Sequence, residues 1–353
     1  MKKKTGIILA VVTTVILGVA AVAAYDYYRT FYAGNIASSE QRPALKVYRS
    51  YGYGELMDAM EKSGVIADFG TFSRAAGFLK LEESFKPGYY TFDSLMTNKE
   101  IVRMLANGWQ KPVKVTFQGY IRSMEDFASI LGEQFEADSA SFVKVLTDTL
   151  TMDSCGFEKE SFIGMFIPNT YEFYWTVSPE QFVERMHQEY ESFWTDVRKA
   201  KAEDVGMSQK EVSTLAAIVI SETKYVPEMP TIAGVYINRL RKGIPLQADP
   251  TVLFALNQKG IRRVLNKHLT VESPYNTYIN RGLPPGPITM PPIAAIDAVL
   301  NYQRHNYIYF CARETFDGQH NFASTLSGHM ANARAYHRAL NAREREKALS
   351  NRK

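Results

Sequence analysis

The sequence predicts an α+β protein in three parts: an N-terminal transmembrane helix, a small α+β module and a larger mixed α+β domain. Its 353 residues suit two domains with an anchor. An uncharged apolar run opens the chain, and after it short β-prone stretches alternate with segments of helical periodicity. These changes of pattern divide the chain into a cytoplasmic tail (1–4), the transmembrane helix (5–25), a linker (26–44), the small module (45–110) and the larger domain (111–353).

The composition is that of an ordinary globular protein. Hydrophobic residues make up 46% and charged residues 22%, so a core can be buried. The net charge of +4 is too small for a protein that binds nucleic acid through a basic stripe, so nucleic acid is not an expected partner. The 21 tyrosines and 20 phenylalanines suit a carbohydrate-binding surface, although most of these rings are expected in the core.

Cysteines and histidines give no metal or redox pattern. The two cysteines, Cys155 and Cys311, lie far apart and form no C-x-x-C spacing, which leaves a disulfide open. The six histidines contain no H-E-x-x-H pattern, so the sequence does not predict a metal site built by the protein.

The apolar run over residues 6–24 carries no charge. At about 1.5 Å per residue it comes close to spanning the roughly 30 Å hydrocarbon core of a bilayer. Three lysines precede it, which the positive-inside rule leaves in the cytoplasm, and tyrosines follow where an interfacial aromatic belt would lie. The alternative is a cleaved signal peptide, because Ala21-Val22-Ala23 fits a cleavage site; the length of the run favours the anchor.

Alternating patterns predict the elements that follow the anchor. In the small module we expect strands near 45–48 and 89–92, helices over 53–63 and 72–79, and a helix after a capping box at 97–100. In the larger domain we expect a strand at 113–117, helices through 123–194 with a loop-like break at 164–171, and a C-terminal helix over 330–349.

One carboxylate stands out by its position on a predicted helix. A capping box at Ser208 starts this helix, and Leu215, Ile218 and Val219 form its apolar stripe. Glu222 follows them by seven, four and three residues, so it lies on the apolar face near the C-terminal end. Desolvation and the helix dipole would both raise the pKa of Glu222, as a general acid requires. Periodicity alone equally allows a structural Glu222 in a salt bridge with Lys224 or Arg239.

Polar residues further along the chain have two interpretations each. Asp249 precedes Pro250 and suits the N-cap of a helix starting at Thr251, which is favoured over a direct chemical role. Gln247 is a candidate sugar ligand, because its amide both donates and accepts hydrogen bonds. Prolines and glycines in 273–278 and 282–288 exclude regular helix or sheet interior, leaving a binding segment or a packed loop.

Seven motifs occur in a fixed order along the chain: FIPNTYEF (166–173), ISET (220–223), VYINRL (235–240), LQADPTV (246–252), YNTY (275–278), GLPPGPI (282–288) and GQHNFAST (318–325). With them the chain resembles the endolytic murein transglycosylase family (MltG, YceG-like). Two positions depart from the family's usual pattern, because Gly328 precedes His329 where Glu is usual and Gln118 stands where Glu is more usual.

This resemblance implies a lytic transglycosylase that cleaves the MurNAc-β-1,4-GlcNAc bond of nascent peptidoglycan and leaves a 1,6-anhydro-MurNAc end. It implies Glu222 as the catalytic acid and base, no cofactor, a LysM-like module at 45–110, and an inner-membrane protein with a periplasmic catalytic domain. Glycan strands are the implied substrate, and cell-wall synthesis proteins are candidate partners. The implied substrate-binding residues are Ser221, Asn238, Gln247, Asp249, Tyr275, Asn276 and Tyr278. We expect Gln247, Tyr275, Asn276 and Tyr278 to line one concave surface with Glu222.

Two other functions stay open at this point. A hydrolase of the same bond would use Asp249 as a second carboxylate and would leave a reducing end. A membrane-tethered peptidoglycan-binding scaffold would need only the small module and an aromatic surface. An acid on an apolar helix face speaks against the scaffold, which has no use for a desolvated carboxyl group.

Overall fold

The computed structural model describes residues 2–37, 43–257 and 264–350. It contains helices and small two-stranded sheets, which confirms the predicted mixed fold class. Packing of the chain defines two compact units. The first consists of Met1–Val115, Gln134–Glu136 and Tyr171–Val177. The second consists of Thr116–Glu133, Ala137–Thr170 and Ser178–Lys353.

The first unit contains the helices and strands that the sequence predicted between residues 45 and 110. Its helices and strands are α1 (Lys2–Phe31), β1 (Ala44–Val47), α2 (Tyr53–Lys62), α3 (Phe69–Phe78), β2 (Gly88–Thr91) and α4 (Asn98–Asn107). Strands β1 and β2 pair antiparallel with Ala44 opposite Thr91. The predicted capping box is present at the start of α4, where the Thr97 hydroxyl accepts from the Glu100 backbone N–H. Apolar side chains from both strands and all three short helices form one buried core.

Helix α1 ends inside the range that the sequence assigned to a linker. It runs through Phe31, and Thr30 and Phe31 are buried. The buried Asn35 amide donates to Asn98 Oδ1 at 2.7 Å, and its oxygen accepts from the Asp68 backbone N–H at 2.8 Å. Asn98 in turn donates to the Thr30 carbonyl at 3.0 Å. Residues 30–35 therefore belong to the packed module, which a polar, aperiodic sequence did not indicate.

The same helix is the candidate membrane span. Among the described residues, Lys3–Phe31 is the one helix long and apolar enough to cross a membrane, and none of its apolar window is buried. A signal sequence near the N-terminus would have the same length and composition. The choice between an anchor and a cleaved segment therefore stays a prediction.

From residue 113 onward the chain is mainly helical. Its elements are β3 (Val113–Phe117), α5 (Met124–Gln134), α6 (Ser139–Leu146), α7 (Thr149–Ser154), β4 (Asn169–Phe173), α8 (Pro179–Phe193), α9 (Asp196–Val205), α10 (Gln209–Glu222), α11 (Met229–Arg241), α12 (Asp249–Leu256), α13 (Ile293–Leu300), β5 (Tyr309–Ala312), β6 (His320–Ala323) and α14 (Leu326–Ser350). β3 pairs with β4 and β5 with β6. The sequence missed β4 because Pro168 and Asn169 resemble a turn, although Tyr171 and Phe173 alternate inward.

Helix α10 lies in the core of the second unit, where it packs against α11 and α13. All of its residues from Val212 to Val219 are buried. The Pro/Gly-rich stretch over residues 273–288 is irregular, as predicted, and it packs closely. A Cβ at Gly286 would lie 1.9 Å from the Glu160 carbonyl oxygen, so only glycine fits there.

The Asn35 network gives a prediction about where the chain can be shortened. A chain that begins at Asp26 should leave the membrane fraction and melt like the full-length protein. One that begins near Ser38 should melt at lower temperature, because loss of Asn35 leaves the buried Asn98 Oδ1 without its hydrogen-bond donor, at about 1–3 kcal/mol. Fractionation and circular dichroism melting of the three chains test this. Equal melting temperatures would contradict it, and a mature N-terminus at Ala24 or Tyr25 would favour the signal peptide.

Candidate active site

Glu222 is the last residue of α10 and lines a cavity of about 520 Å³. The predicted capping box is present: the Ser208 hydroxyl accepts from the Glu211 backbone N–H and starts the helix. The helix ends because Thr223 adopts extended backbone angles. This volume lies within the usual range of roughly 300–1,000 Å³ for ligand pockets. The other described residues that line the cavity are Tyr236, Arg239, Leu246, Gln247, Asp249, Tyr278, Tyr309, Phe310, Cys311, Ala312, His320, Leu326, His329 and Met330.

A buried tyrosine contacts the Glu222 carboxyl group directly. Tyr236 on α11 is 2% exposed, and its hydroxyl donates to Glu222 Oε1 at 2.6 Å. Within the described part of the chain, neither Lys224 nor Arg239 forms an ion pair with Glu222. The structural salt bridge that the sequence left open is therefore not formed, and the carboxyl group is held by a neutral donor.

Burial raises the pKa of Glu222 to about 7. The Tyr236 hydrogen bond opposes this rise, because it favours the ionised carboxylate. The negative charge of Asp249 raises the pKa further, while the Arg239 guanidinium lowers it. A substantial fraction of Glu222 is therefore protonated near neutral pH, which is the state that a general acid needs.

Arg239 brings a fixed positive charge to the cavity wall. It is 8% exposed and lies with its guanidinium 5.4 Å from the centre of the Tyr309 ring. Its Nε donates to the Ile308 carbonyl at 2.6 Å, and Nη1 donates to the Leu246 carbonyl at 2.8 Å and to Gln247 Oε1 at 3.2 Å. These hydrogen bonds hold the guanidinium in one position, so its positive charge stays at a fixed distance from Glu222.

Asp249 lies in the same cavity, and its predicted role as a helix cap is wrong. Helix α12 begins at Asp249 itself, Ala248 occupies the N-cap, and no side chain caps the helix. The Asp249 carboxylate instead accepts from the Tyr278 hydroxyl at 2.6 Å. Burial and this carboxylate raise the pKa of Tyr278, which keeps its hydroxyl a donor. Gln247 reaches the cavity from a left-handed backbone conformation with φ 52°.

Asn276 positions this part of the wall without reaching the cavity. It is fully buried, and its amide donates to the Leu269 and Val271 carbonyls at 2.9 and 2.8 Å. Its oxygen accepts from the Tyr278 backbone N–H at 3.0 Å. The expectation that Asn276 lines the surface with Glu222 is therefore wrong, because backbone groups take up its hydrogen-bonding capacity.

Tyr275 lies on a different cavity, of about 720 Å³, so it does not share the surface predicted for it. Its ring centre is 4.6 Å from that of Phe254, and the Arg122 guanidinium lies 5.2 Å from the Phe254 ring centre. Burial raises the pKa of Tyr275 to about 12. Of the four residues expected beside Glu222, only Gln247 and Tyr278 line its cavity.

The remaining two candidates, Ser221 and Asn238, also have partners within the protein. The Ser221 hydroxyl donates to the Ala217 carbonyl at 2.7 Å and lies 3.3 Å from the Tyr120 hydroxyl. The Asn238 amide donates to the His305 and Tyr307 carbonyls at 2.7 and 2.9 Å. Neither lines the cavity of Glu222.

The cavity also contains histidines that sequence reasoning did not assign. His320 on β6 contacts Glu228, which is 6% exposed, through Nδ1 at 2.8 Å. The His329 ring stacks on Tyr309 with ring centres 5.2 Å apart. Burial and the Arg239 charge lower the pKa of His329, which favours its neutral form. Both lie in or just after the GQHNFAST motif, which was the signal available in the sequence.

The cysteines and acidic residues do not build a metal site in the described part of the chain. Cys155 and Cys311 are both free thiols, so the disulfide left open by the sequence is not formed. Within residues 2–37, 43–257 and 264–350, no three His, Cys, Asp or Glu side chains are placed to hold a metal ion.

Residues 45–335 match the model of the YceG-like family, and the chain belongs to that family. It is 31% identical over 260 residues to the endolytic murein transglycosylase of Bacillus subtilis strain 168, covering 69% of this chain and 71% of that protein. It is 25% identical over 329 residues to the endolytic murein transglycosylase of Streptococcus pneumoniae R6, covering 84% of this chain and 58% of that longer protein. A crystal structure of a yceG-like protein from Listeria monocytogenes superposes with a TM-score of 0.56 and 26% identity, covering 83% of this chain and 99% of that one.

The raised pKa of Glu222 gives a prediction about stability and pH. An unfolded glutamate ionises near pH 4.5, whereas folded Glu222 holds its proton up to about pH 7. Between these values the folded state binds more protons, so rising pH removes stability from the wild type. Glu222→Gln has no such loss, and its melting temperature relative to wild type should rise as the pH is raised from about 5 to about 8. Paired thermal melts test this, and a difference that stays constant with pH would contradict it.

Proposed function

We propose that the chain is an endolytic lytic transglycosylase of peptidoglycan. It cleaves the MurNAc-β-1,4-GlcNAc bond within glycan strands and leaves a 1,6-anhydro-MurNAc end. The observation that carries this proposal is the placement of Glu222, a carboxyl group that burial keeps protonated near neutral pH, on a cavity large enough for sugars. The names of the bacterial relatives support murein as the substrate.

Glu222 would act first as an acid and then as a base. Its proton passes to the glycosidic oxygen as the bond from that oxygen to C1 of the muramic residue breaks. The resulting carboxylate takes the proton of the muramic 6-hydroxyl while O6 bonds to C1, which returns Glu222 to its starting state. One carboxyl group serves both steps, so the reaction uses no water and needs no second catalytic carboxylate.

Tyr236 and Arg239 support this cycle. Because the Tyr236 hydroxyl donates to Oε1, the acidic proton belongs on Oε2, the other oxygen of Glu222. After proton transfer, the same hydrogen bond and the Arg239 charge stabilise the carboxylate. They also keep the pKa of Glu222 from rising so far that the proton could not be given up.

Some of the other candidate residues are placed to bind sugar, and the rest position their neighbours. Gln247, Asp249 and Tyr278 line the cavity and are proposed to bind sugar hydroxyl and acetamido groups. We assign Ser221, Asn238 and Asn276 to positioning, because their side chains bond within the protein. Tyr275 remains a candidate contact for sugars outside the cavity of Glu222.

We propose that α1 is a single-pass anchor in the inner membrane, with the N-terminus in the cytoplasm and the catalytic unit in the periplasm. The three lysines before the apolar run support this orientation, and the exposure of the apolar side chains suits a helix that spans a membrane. The domain limits at 45–110 and 111–353, and the LysM-like character of the first, stay predictions. Cell-wall synthesis proteins are the proposed partners, because a cut in nascent strands has to occur where they are made.

Hydrolysis is the second candidate, because Asp249 lies on the same cavity as Glu222. With two carboxylates, one would activate water and the product would end in a reducing sugar. The Tyr278 hydroxyl donates a hydrogen bond to the Asp249 carboxylate. Asp249 can therefore serve to position Tyr278 and need not take part in catalysis. Mass spectrometry of fragments from uncrosslinked peptidoglycan distinguishes anhydro from reducing ends.

Glu222→Gln should abolish cleavage while keeping the fold. The change preserves size but removes the transferable proton, and general acid–base catalysis contributes about 10²–10⁴-fold, so anhydro-end formation should fall by at least that factor. Asp249→Asn is the matched control and should lose less. A Gln variant that melts like wild type and still cleaves within a few-fold of its rate would remove Glu222 from the mechanism. Equal, severe losses in both variants would favour the hydrolase.

Tyr236→Phe should move the alkaline limit of activity to higher pH. The lost hydrogen bond had lowered the pKa of Glu222, so the acid keeps its proton longer as pH rises. The measurement is kcat/KM for anhydro-end formation across pH. Tyr278→Phe is the comparison, since it removes a hydroxyl that contacts Asp249 and should reduce the rate without shifting this limit. An unchanged or lower limit in Tyr236→Phe would refute the assigned role.

A further inference from the structure

His320, which lines the Glu222 cavity, forms a pair with the buried carboxylate of Glu228. Glu228 accepts two hydrogen bonds from His320, one from its backbone N–H at 2.9 Å and one from ring Nδ1 at 2.8 Å. Glu228 is 6% exposed and lies in a 3-10 turn just before α11. Both carboxylate oxygens are thus used by one residue, which fixes the position of β6 as well as the ring.

This geometry sets the tautomer of His320. A carboxylate oxygen can only accept, so Nδ1 carries the proton. In the neutral imidazole, Nε2 is then a hydrogen-bond acceptor. Among the described residues Nε2 contacts no protein partner, and it is not one of the enclosed, unpartnered nitrogens. The imidazole lines the cavity, so Nε2 is available to a ligand there.

Aromatic packing connects the His320 ring to Glu222 through two intermediate rings. The edge of the Phe310 ring contacts His320 with centres 5.2 Å apart, and Phe310 contacts Tyr236 with centres 5.8 Å apart. Tyr236 in turn donates to Glu222. A continuous wall therefore runs from the general acid through two aromatic rings to His320, and all its members belong to the same cavity.

We propose that His320 is a substrate-binding residue whose Nε2 accepts a hydrogen bond from a hydroxyl group of the sugar held beside Glu222, and that Glu228 is the positioning residue that fixes its tautomer. The inference rests on the proposed function for the identity of the sugar. Hydroxyl groups are the hydrogen-bond donors that a glycan offers in quantity, so an open acceptor on this wall suits a glycan.

Kinetics with the full-length chain in detergent test the contact. His320→Phe keeps a ring but removes the acceptor, and kcat/KM for anhydro-end formation should fall about tenfold or more, as expected for one lost hydrogen bond. His320→Gln places an amide near the position of Nε2 and should stay within about threefold of wild type. Glu228→Gln should lie between them, because its amide no longer enforces one tautomer.

His187→Phe is the matched control. His187 and Glu191 form another histidine–carboxylate pair, 3.9 Å apart on α8, and neither lines the Glu222 cavity. This variant should keep wild-type kinetics. Wild-type kcat/KM in His320→Phe would overturn the proposal. Equal impairment of the Phe and Gln variants with wild-type melting temperatures would overturn it as well.

A spectroscopic measurement covers the case in which these variants do not fold. In the Glu222→Gln chain labelled with ¹⁵N-histidine, His320 should show a protonated Nδ1 and a bare Nε2. Uncrosslinked glycan fragments should shift the Nε2 resonance and leave that of His187 in place. A protonated Nε2 with a bare Nδ1, or no shift when the fragments are bound, would overturn the proposal. If the wild-type protein yields reducing ends, the lyase assignment fails. The hydrogen bond between the sugar and His320 Nε2 is tested separately, by the spectrum alone.

Discussion

The hydrogen bond from Tyr236 to Glu222 is the interaction on which the rest of the site depends. The Glu222 carboxyl group is half-buried at the end of a buried helix and has lost part of its water, and without a partner it would hold its proton more strongly. The Tyr236 hydroxyl offsets part of that cost at 2.6 Å. Arg239 and Asp249 act in opposite directions on the same group, so the pKa of about 7 is a balance of burial, one hydrogen bond and two charges.

This balance requires a rigid surrounding. Arg239 keeps its place because carbonyl groups of Leu246 and Ile308 accept from its guanidinium. The segment around Tyr278 is joined to the start of α12 through Thr277, whose carbonyl accepts from the Gln247 backbone N–H at 3.0 Å. The irregular, glycine- and proline-containing segments therefore serve as fixed walls whose backbone groups are satisfied by buried polar side chains.

The local features of the site could be predicted from the sequence, because they follow from helical spacing. Glu222 lies where intervals of seven, four and three residues from an apolar stripe place it, and its helix starts at the predicted capping box. Its partner could not be predicted, because Tyr236 meets Glu222 only through the packing of α10 against α11. The cap predicted for Asp249 failed for a similar reason: a tyrosine 29 residues further along the chain contacts that carboxylate.

Polar motif residues were the least predictable. Asn238 and Asn276 have the chemistry of sugar ligands, yet backbone carbonyls take up both amides. A sequence shows that an amide is present but not whether its hydrogen bonds are made inside the fold. His320 shows the reverse case, because one side of its ring is fixed by Glu228 and the other side stays open to the cavity.

The central claim is that Glu222 is a desolvated acid that keeps its proton near neutral pH. The most direct measurement is the pH titration of its side-chain carboxyl carbon by NMR in the full-length chain with ¹³C-labelled glutamate. Its resonance is identified by its absence from the Glu222→Gln spectrum. The account predicts a titration midpoint near pH 7. A midpoint near 4.5, the ordinary value for a glutamate, would contradict it.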